Sequence, residues 1–185
     1  MFRALVEKEK LGPKEIEEVV LRVPFFTTYL RETGYPSNIV DAQFSIPYAI
    51  AMVAHRIKRG YRWYLPETLK DHEIVNFFNR VRMEDNRDGL STMVKQVKEK
   101  GRYLGLPTSI EVKARGKVYR ASCQFTKGDP WTPETNMTDE EVKDKFRDLC
   151  HDILPVDSME KGLVRLFALE NMEEVSSIIP YLVAK

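Results

Sequence analysis

Cysteine is scarce in this sequence. Its 185 residues include two, Cys123 and Cys150, too few for the disulfide framework of a small secreted domain. Both lie in patterns that read as a buried strand or helix face, so buried thiols in a reducing compartment are the simple reading. Histidine is nearly as scarce, at three. His55, His72 and His151 form no H-x-x-x-H pair, and no cysteine or carboxylate cluster completes a metal site. An excess of either charge is also missing. Lysine and arginine number 29 against 28 acidic residues, a net charge of +1, and the two signs are interspersed, which argues against a nucleic-acid or membrane-surface partner. No apolar run approaches the ~18 residues that span a bilayer. The opening MFRALVEKEKLG lacks the apolar core of a signal peptide, so a cytoplasmic location is expected. G-x-S-x-G and the P-loop are absent. GRYLG at 101–105 follows no clear strand and lacks the third glycine of a dinucleotide loop. There is no internal repeat or low-complexity tract.

What is present is ordinary for a soluble globular chain: 43% hydrophobic and 31% charged residues, with a length that suits one domain or one domain with a helical extension. Residues 2–9 read as a short amphipathic piece broken at Gly12-Pro13. Ile16–Val23 (IEEVVLRV) has strand character and ends at Pro24. The stretch 25–39 is mixed, with Gly34-Tyr35-Pro36 as a turn. Ser45 caps a helix that carries Pro47 in its first turn, has Ile46, Ile50, Val53 and Ile57 at helical spacing, and ends at Gly60. A second helix is expected over 66–81, then a short strand at 81–84, a turn at 86–89 and an ambiguous stretch at 91–106. Residues 109–115 alternate strictly, Gly116-Lys117 signals a two-residue hairpin, and 118–125 is the return strand. A turn-rich loop with Gly128, Pro130 and Pro133 leads to the capping box Thr138-x-x-Glu141. The helix that follows, 139–153, is expected to bury Val142, Phe146, Leu149, Cys150 and Ile153. Pro155 stops it, and Asp157 or Ser158 caps a last helix. Few, mostly local strands between blocks of helices argue for an α+β fold, a small antiparallel sheet with helices on one face.

Most polar groupings read as structure. Cys150 and His151 are neighbours, so on a helix they point about 100° apart and make a poor nucleophile pair. His55 lies near a helix C-terminus, where a cation is welcome. The carboxylate pairs Glu17-Glu18, Asp139–Glu141 and Glu173-Glu174 fall on solvated faces or in first turns, with no apolar pocket to shift a pKa. Two places are less bland. Lys127-Gly128-Asp129-Pro130, at the end of a strand, can present an ammonium and free N–H groups to a carboxylate, although a plain turn is the simpler reading of those four residues. Around DAQFSIPYAIA, with Gln43, Ser45 and Tyr48, first-turn N–H groups can meet an anion, although Pro47 removes one donor and a capped buried helix is the simpler reading.

Both places match one family. DAQFSIPYAIA, residues 41–51, resembles the A-[RQ]-F-S-x-x-Y-x-x-A helix start of the MmgE/PrpD family. Residues 125–149 resemble that family's K-G-D/S-P turn and the E-x-x-x-K-F-R-D-L helix after it, here Glu141, Lys145, Phe146, Arg147, Asp148 and Leu149. Order and spacing agree over about residues 11–170, leaving a helical tail at about 171–185. The family includes 2-methylcitrate dehydratase, cis-aconitate decarboxylase and iminodisuccinate epimerase. Its members are longer, two-domain dimers, and this chain resembles only their α+β lid, taken as a single domain over 1–185. The resemblance implies proton abstraction beside a carboxylate, then elimination, decarboxylation or epimerisation, with no cofactor. The family's catalytic histidines and lysines come mainly from its helical domain, and no position here matches them. The site residues carried over are therefore Gln43, Ser45, Tyr48, Lys127, Gly128 and Asp129, as substrate-binding candidates facing or bracing the cleft. The implied partners are a separately encoded all-helical subunit, a further copy of the chain in a homo-oligomer, and a small polycarboxylate once assembled. The alternative is a free-standing, non-catalytic binding module or a truncated remnant.

Overall fold

The computed structural model describes residues 1–24, 34–128, 132–133 and 135–183. Its described residues divide into two compact units, Met1–Asn136 and Met137–Lys185.

The first unit is built on a four-stranded sheet of order β2-β1-β3-β4, where β1 is Ile16–Val23, β2 is Val81–Asp85, β3 is Thr108–Ala114 and β4 is Lys117–Cys123. The expected α+β class holds, with one correction to the sheet. β1 and β3, and β3 and β4, are antiparallel, but β1 and β2 run parallel. A parallel pair needs a long crossover, and the helices between residues 39 and 78 make it. The hairpin turn also moves by one residue. Ala114 pairs with Lys117, so the turn is Arg115-Gly116, both at positive φ (52° and 68°), as a type I′ turn requires.

Alternation divides the sheet into two chemically distinct faces. Val19, Leu21, Met83, Ile110, Val112 and Ala114 are buried on the inner face and share one core with helix α1 (Phe2–Lys8), α3 (Ile46–Ala54) and α5 (His72–Phe78). The outer face carries Glu18, Arg22, Arg82, Glu84, Glu111, Lys113 and Arg120, which lie in register with one another across the four strands. Val20, central on that face between Arg82 and Glu111 in register, is nevertheless buried. Long charged side chains cover apolar surface with their stems.

The helices depart from expectation at their ends. A short helix α2, Ile39–Phe44, precedes α3 and is capped by Asn38, which accepts from the Asp41 N–H. Helix α3 stops at Ala54, well before Gly60. The helix expected over 66–81 is two, α4 (Pro66–Leu69) and α5, because the Asp71 side chain accepts from the Glu73 N–H and starts a new helix. The turn expected at 86–89 and the ambiguous stretch after it form one helix, α6 (Arg87–Lys100), capped by Asn86 and closed by Gly101 at positive φ.

The second unit holds α7 (Asp139–Cys150), α8 (Val156–Leu166) and a 3-10 segment, Val175–Tyr181. Both halves of the expected capping box form, Thr138 Oγ1 with the Glu141 N–H and Glu141 Oε2 with the Thr138 N–H. The cap of α8 is Pro155 rather than Asp157 or Ser158. Leu154, Met159, Leu163 and Ile178 are buried. The expected apolar stripe of α7 is not: Val142, Leu149 and Ile153 are exposed. Arg147 joins α7 to α8 by two bonds to Glu160, Nε to Oε1 at 2.7 Å and Nη2 to Oε2 at 2.9 Å. Gly162 of α8 packs closely against the end of the 3-10 segment, where a Cβ would lie 3.3 Å from Leu182 Cδ2 and 3.4 Å from Tyr181 Cβ.

Candidate functional site

At the first candidate site two helices meet in an elbow. Ser45 closes α2 with its N–H on the Ala42 carbonyl and opens α3 with its Oγ, which accepts from the Tyr48 N–H at 3.2 Å. With Pro47 lacking a donor, the capping serine takes the first-turn N–H that an anion would otherwise meet. Ser45 and Tyr48 are buried, whereas Gln43 is exposed on α2 beside an exposed Phe44.

Tyr48 is fully buried and its hydroxyl donates to the Trp63 carbonyl. The Trp63 indole N–H in turn donates to the Ile57 carbonyl at 3.2 Å. Tyr35 stands edge-on to Tyr48, with 6.0 Å between ring centroids. Burial is the main force pushing the Tyr48 phenol well above its ordinary value, so it remains a neutral donor. The tyrosine thus locks the segment after α3 onto the core.

The second candidate site is the loop after β4. Lys127 is exposed and its Nζ donates to the Asn136 carbonyl at 2.8 Å. The Gly128 N–H donates to the Thr135 carbonyl at 2.6 Å, with Gly128 at φ 99°. A positive φ of that kind suits glycine, and the hydroxyls of Thr132 and Thr135 meet at 2.8 Å. The loop is tied across its own neck. Asp129, the last of the expected site residues, lies outside the described residues. The structure therefore joins Ser45 to Tyr48 in one helical turn and Lys127 to Gly128 in one loop, on separate elements of the first unit.

Sequence reasoning missed the outer face of the sheet. An alternating chain of charge runs across all four strands: Glu18 to Arg82 at 2.7 Å, Arg82 to Glu84 at 3.9 Å, Glu84 to Arg22 at 3.0 Å, Arg22 to Glu111 at 3.3 Å and Glu111 to Arg120 at 2.8 Å. Hydrogen bonds from Arg120 and then Arg22 hold the Glu111 carboxyl below its ordinary range. The polar residues at alternate strand positions were legible, but their partners depend on register. Among the described residues, no three His, Cys, Asp or Glu side chains gather as metal ligands would. Nor is any helix among them long and apolar enough to cross a membrane.

Compared with known families, residues 1–169 match the family model described as the MmgE/PrpD C-terminal domain. No curated protein matches the chain.

Proposed function

The chain belongs to the MmgE/PrpD family through its C-terminal domain, and from that premise we propose that it serves as the lid of a lyase acting on a small polycarboxylate. The reaction is dehydration, decarboxylation or epimerisation. A helical domain supplies the base that takes the proton beside the carboxylate, and the lid closes over the substrate and excludes water. Gln43 and Lys127, both exposed, are the residues offered to the substrate, while Ser45 and Tyr48 brace the element that carries Gln43.

The observation that best supports this division of labour is that the motif's two hydroxyls face inward, Ser45 onto the Tyr48 N–H and Tyr48 onto the Trp63 carbonyl. A hydroxyl already bonded to the backbone in the core is suited to positioning an element.

The test is reconstitution. Purified chain combined with an MmgE/PrpD helical domain should turn over citrate-like or aconitate-like acids, and neither component should do so alone. In the active mixture Lys127→Ala should lower kcat/KM by about tenfold, the loss of one charge-assisted contact, with the fold unchanged by circular dichroism. A stable complex without any gain in turnover overturns the reading and leaves a binding module in its place.

A further inference from the structure

The outer face of the sheet carries chemistry that the lid reading does not use. Register places Glu84, Arg22, Ser109 and Ser122 in one row across the strands, and Arg82, Val20, Glu111 and Arg120 in the next. Serine ends at its hydroxyl, while arginine and glutamate reach several atoms further. The paired serines therefore leave a hollow walled by longer side chains. It is a shallow depression open to solvent, of about 320 Å³, and Arg22, Ser109, Glu111, Arg120 and Ser122 contribute to its lining.

Two guanidinium groups and one carboxylate line this hollow, and the carboxylate is already engaged. Glu111 Oε1 lies 2.8 Å from Arg120 Nε and 3.3 Å from Arg22 Nη1, and its Oε2 lies 3.5 Å from Arg22 Nη2. Arg120 is thus anchored through Nε alone. Its two Nη groups, like the hydroxyls of Ser109 and Ser122, have no partner among the described residues. The Arg120 side chain is 67% exposed, so that fork of donors is open to solvent.

We propose that this hollow is a binding site for a small carboxylic acid. The Nη fork of Arg120 matches a carboxylate in the two-point geometry that guanidinium favours. The hydroxyls of Ser109 and Ser122 supply further donors on the floor. Glu111 does not repel the ligand as a lone carboxylate would, because it sits between two arginines and fixes their direction. Its volume is near the lower limit of ligand pockets, about 300 Å³, which suits a compact acid.

The experiment is a titration of the full isotopically labelled chain with citrate, followed by amide chemical shifts, with inorganic phosphate and sodium chloride at matched ionic strength as parallel arms. Saturable shifts should centre on residues 109–111 and 120–122 with citrate and be absent with chloride. Arg120→Gln should weaken the site by about tenfold or more. Lys113→Ala, on the same face but outside the hollow, should leave it intact. Arg120 is exposed, so its substitution is compatible with folding, and unchanged shifts elsewhere verify that. Ser122→Val, which fills the floor, is a second variant expected to abolish binding. The proposal is overturned by an absence of saturation up to about 50 mM, weaker than any useful affinity, or by equal losses in Arg120→Gln and Lys113→Ala. Phosphate binding more tightly than citrate overturns the assignment to a carboxylic acid. No helical domain enters the titration, so this result and the reconstitution succeed or fail separately.

Discussion

Tyr48 shows how one side chain of a family motif can serve the core. Its ring fills the core and its hydroxyl satisfies the Trp63 carbonyl. Tyr48→Phe keeps the ring and leaves that carbonyl without its donor, which should cost about 1–3 kcal/mol. Ser45→Ala removes the cap and should cost about 1 kcal/mol. Chemical denaturation of the full chain measures both. The cap uses the Tyr48 backbone N–H, which Tyr48→Phe keeps, so the two substitutions remove different bonds and the double variant should lose close to the sum of the single losses. A neutral Tyr48→Phe would remove the bracing role assigned to it.

Among the elements, helix α7 offers the sharpest test, because its start rests on one reciprocal pair. Thr138→Ala breaks the capping box and should destabilise the second unit by about 1 kcal/mol. Hydrogen exchange should accelerate in the first turn of α7 while β1 to β4 keep their protection, and uniform acceleration across the chain would contradict that local role. This box was readable from four letters because its partners are three residues apart. The same holds for Ser45 and for the β3–β4 hairpin, where alternation and a glycine turn are local signals. Helix α6 was harder to read, because Gly89 and the β-branched residues Thr92, Val94 and Val97 weaken its helical signal. Its N-cap Asn86 also donates to the Pro107 carbonyl at 2.8 Å, 21 residues away. The parallel pairing of β1 with β2 was not legible at all, since hydrophobic pattern reports which residues are buried and not the direction in which strands meet. Of the candidate site, the capped turn at Ser45 and Tyr48 was visible locally. The Arg22–Glu111–Arg120 cluster was not, because it depends on the register of three strands.

Across the whole molecule, carboxylates held below their ordinary range make stability fall in acid. Glu15 is the strongest case. The Arg115 guanidinium meets it at 2.7 Å through both Nε and Nη2, the Gly12 N–H adds a bond at 2.8 Å, and its carboxyl is lowered from 4.5 to about 2. Glu17 is lowered by Lys113, Glu111 by Arg120 and Arg22, Glu140 by Lys143 and Glu160 by Arg147, so both compact units contain such pairs. A carboxyl that binds its proton less readily in the folded chain than in the unfolded one stabilises the fold above the unfolded value. That contribution disappears as pH falls through the folded value. For Glu15 the window runs from 4.5 down to about 2. The melting temperature should therefore drop steeply over that interval, and the drop should shrink in about 1 M salt, which screens exposed pairs. Glu15→Gln isolates one contributor. The variant should melt below the native chain at pH 6, where Glu15 is ionised and paired, and the gap should close toward pH 2, where the native carboxyl takes up its proton. A gap of equal size at both pH values would show that Glu15 acts through its shape and its neutral hydrogen bonds, and that the charge on Arg115 contributes nothing to holding the β3–β4 turn against the start of β1.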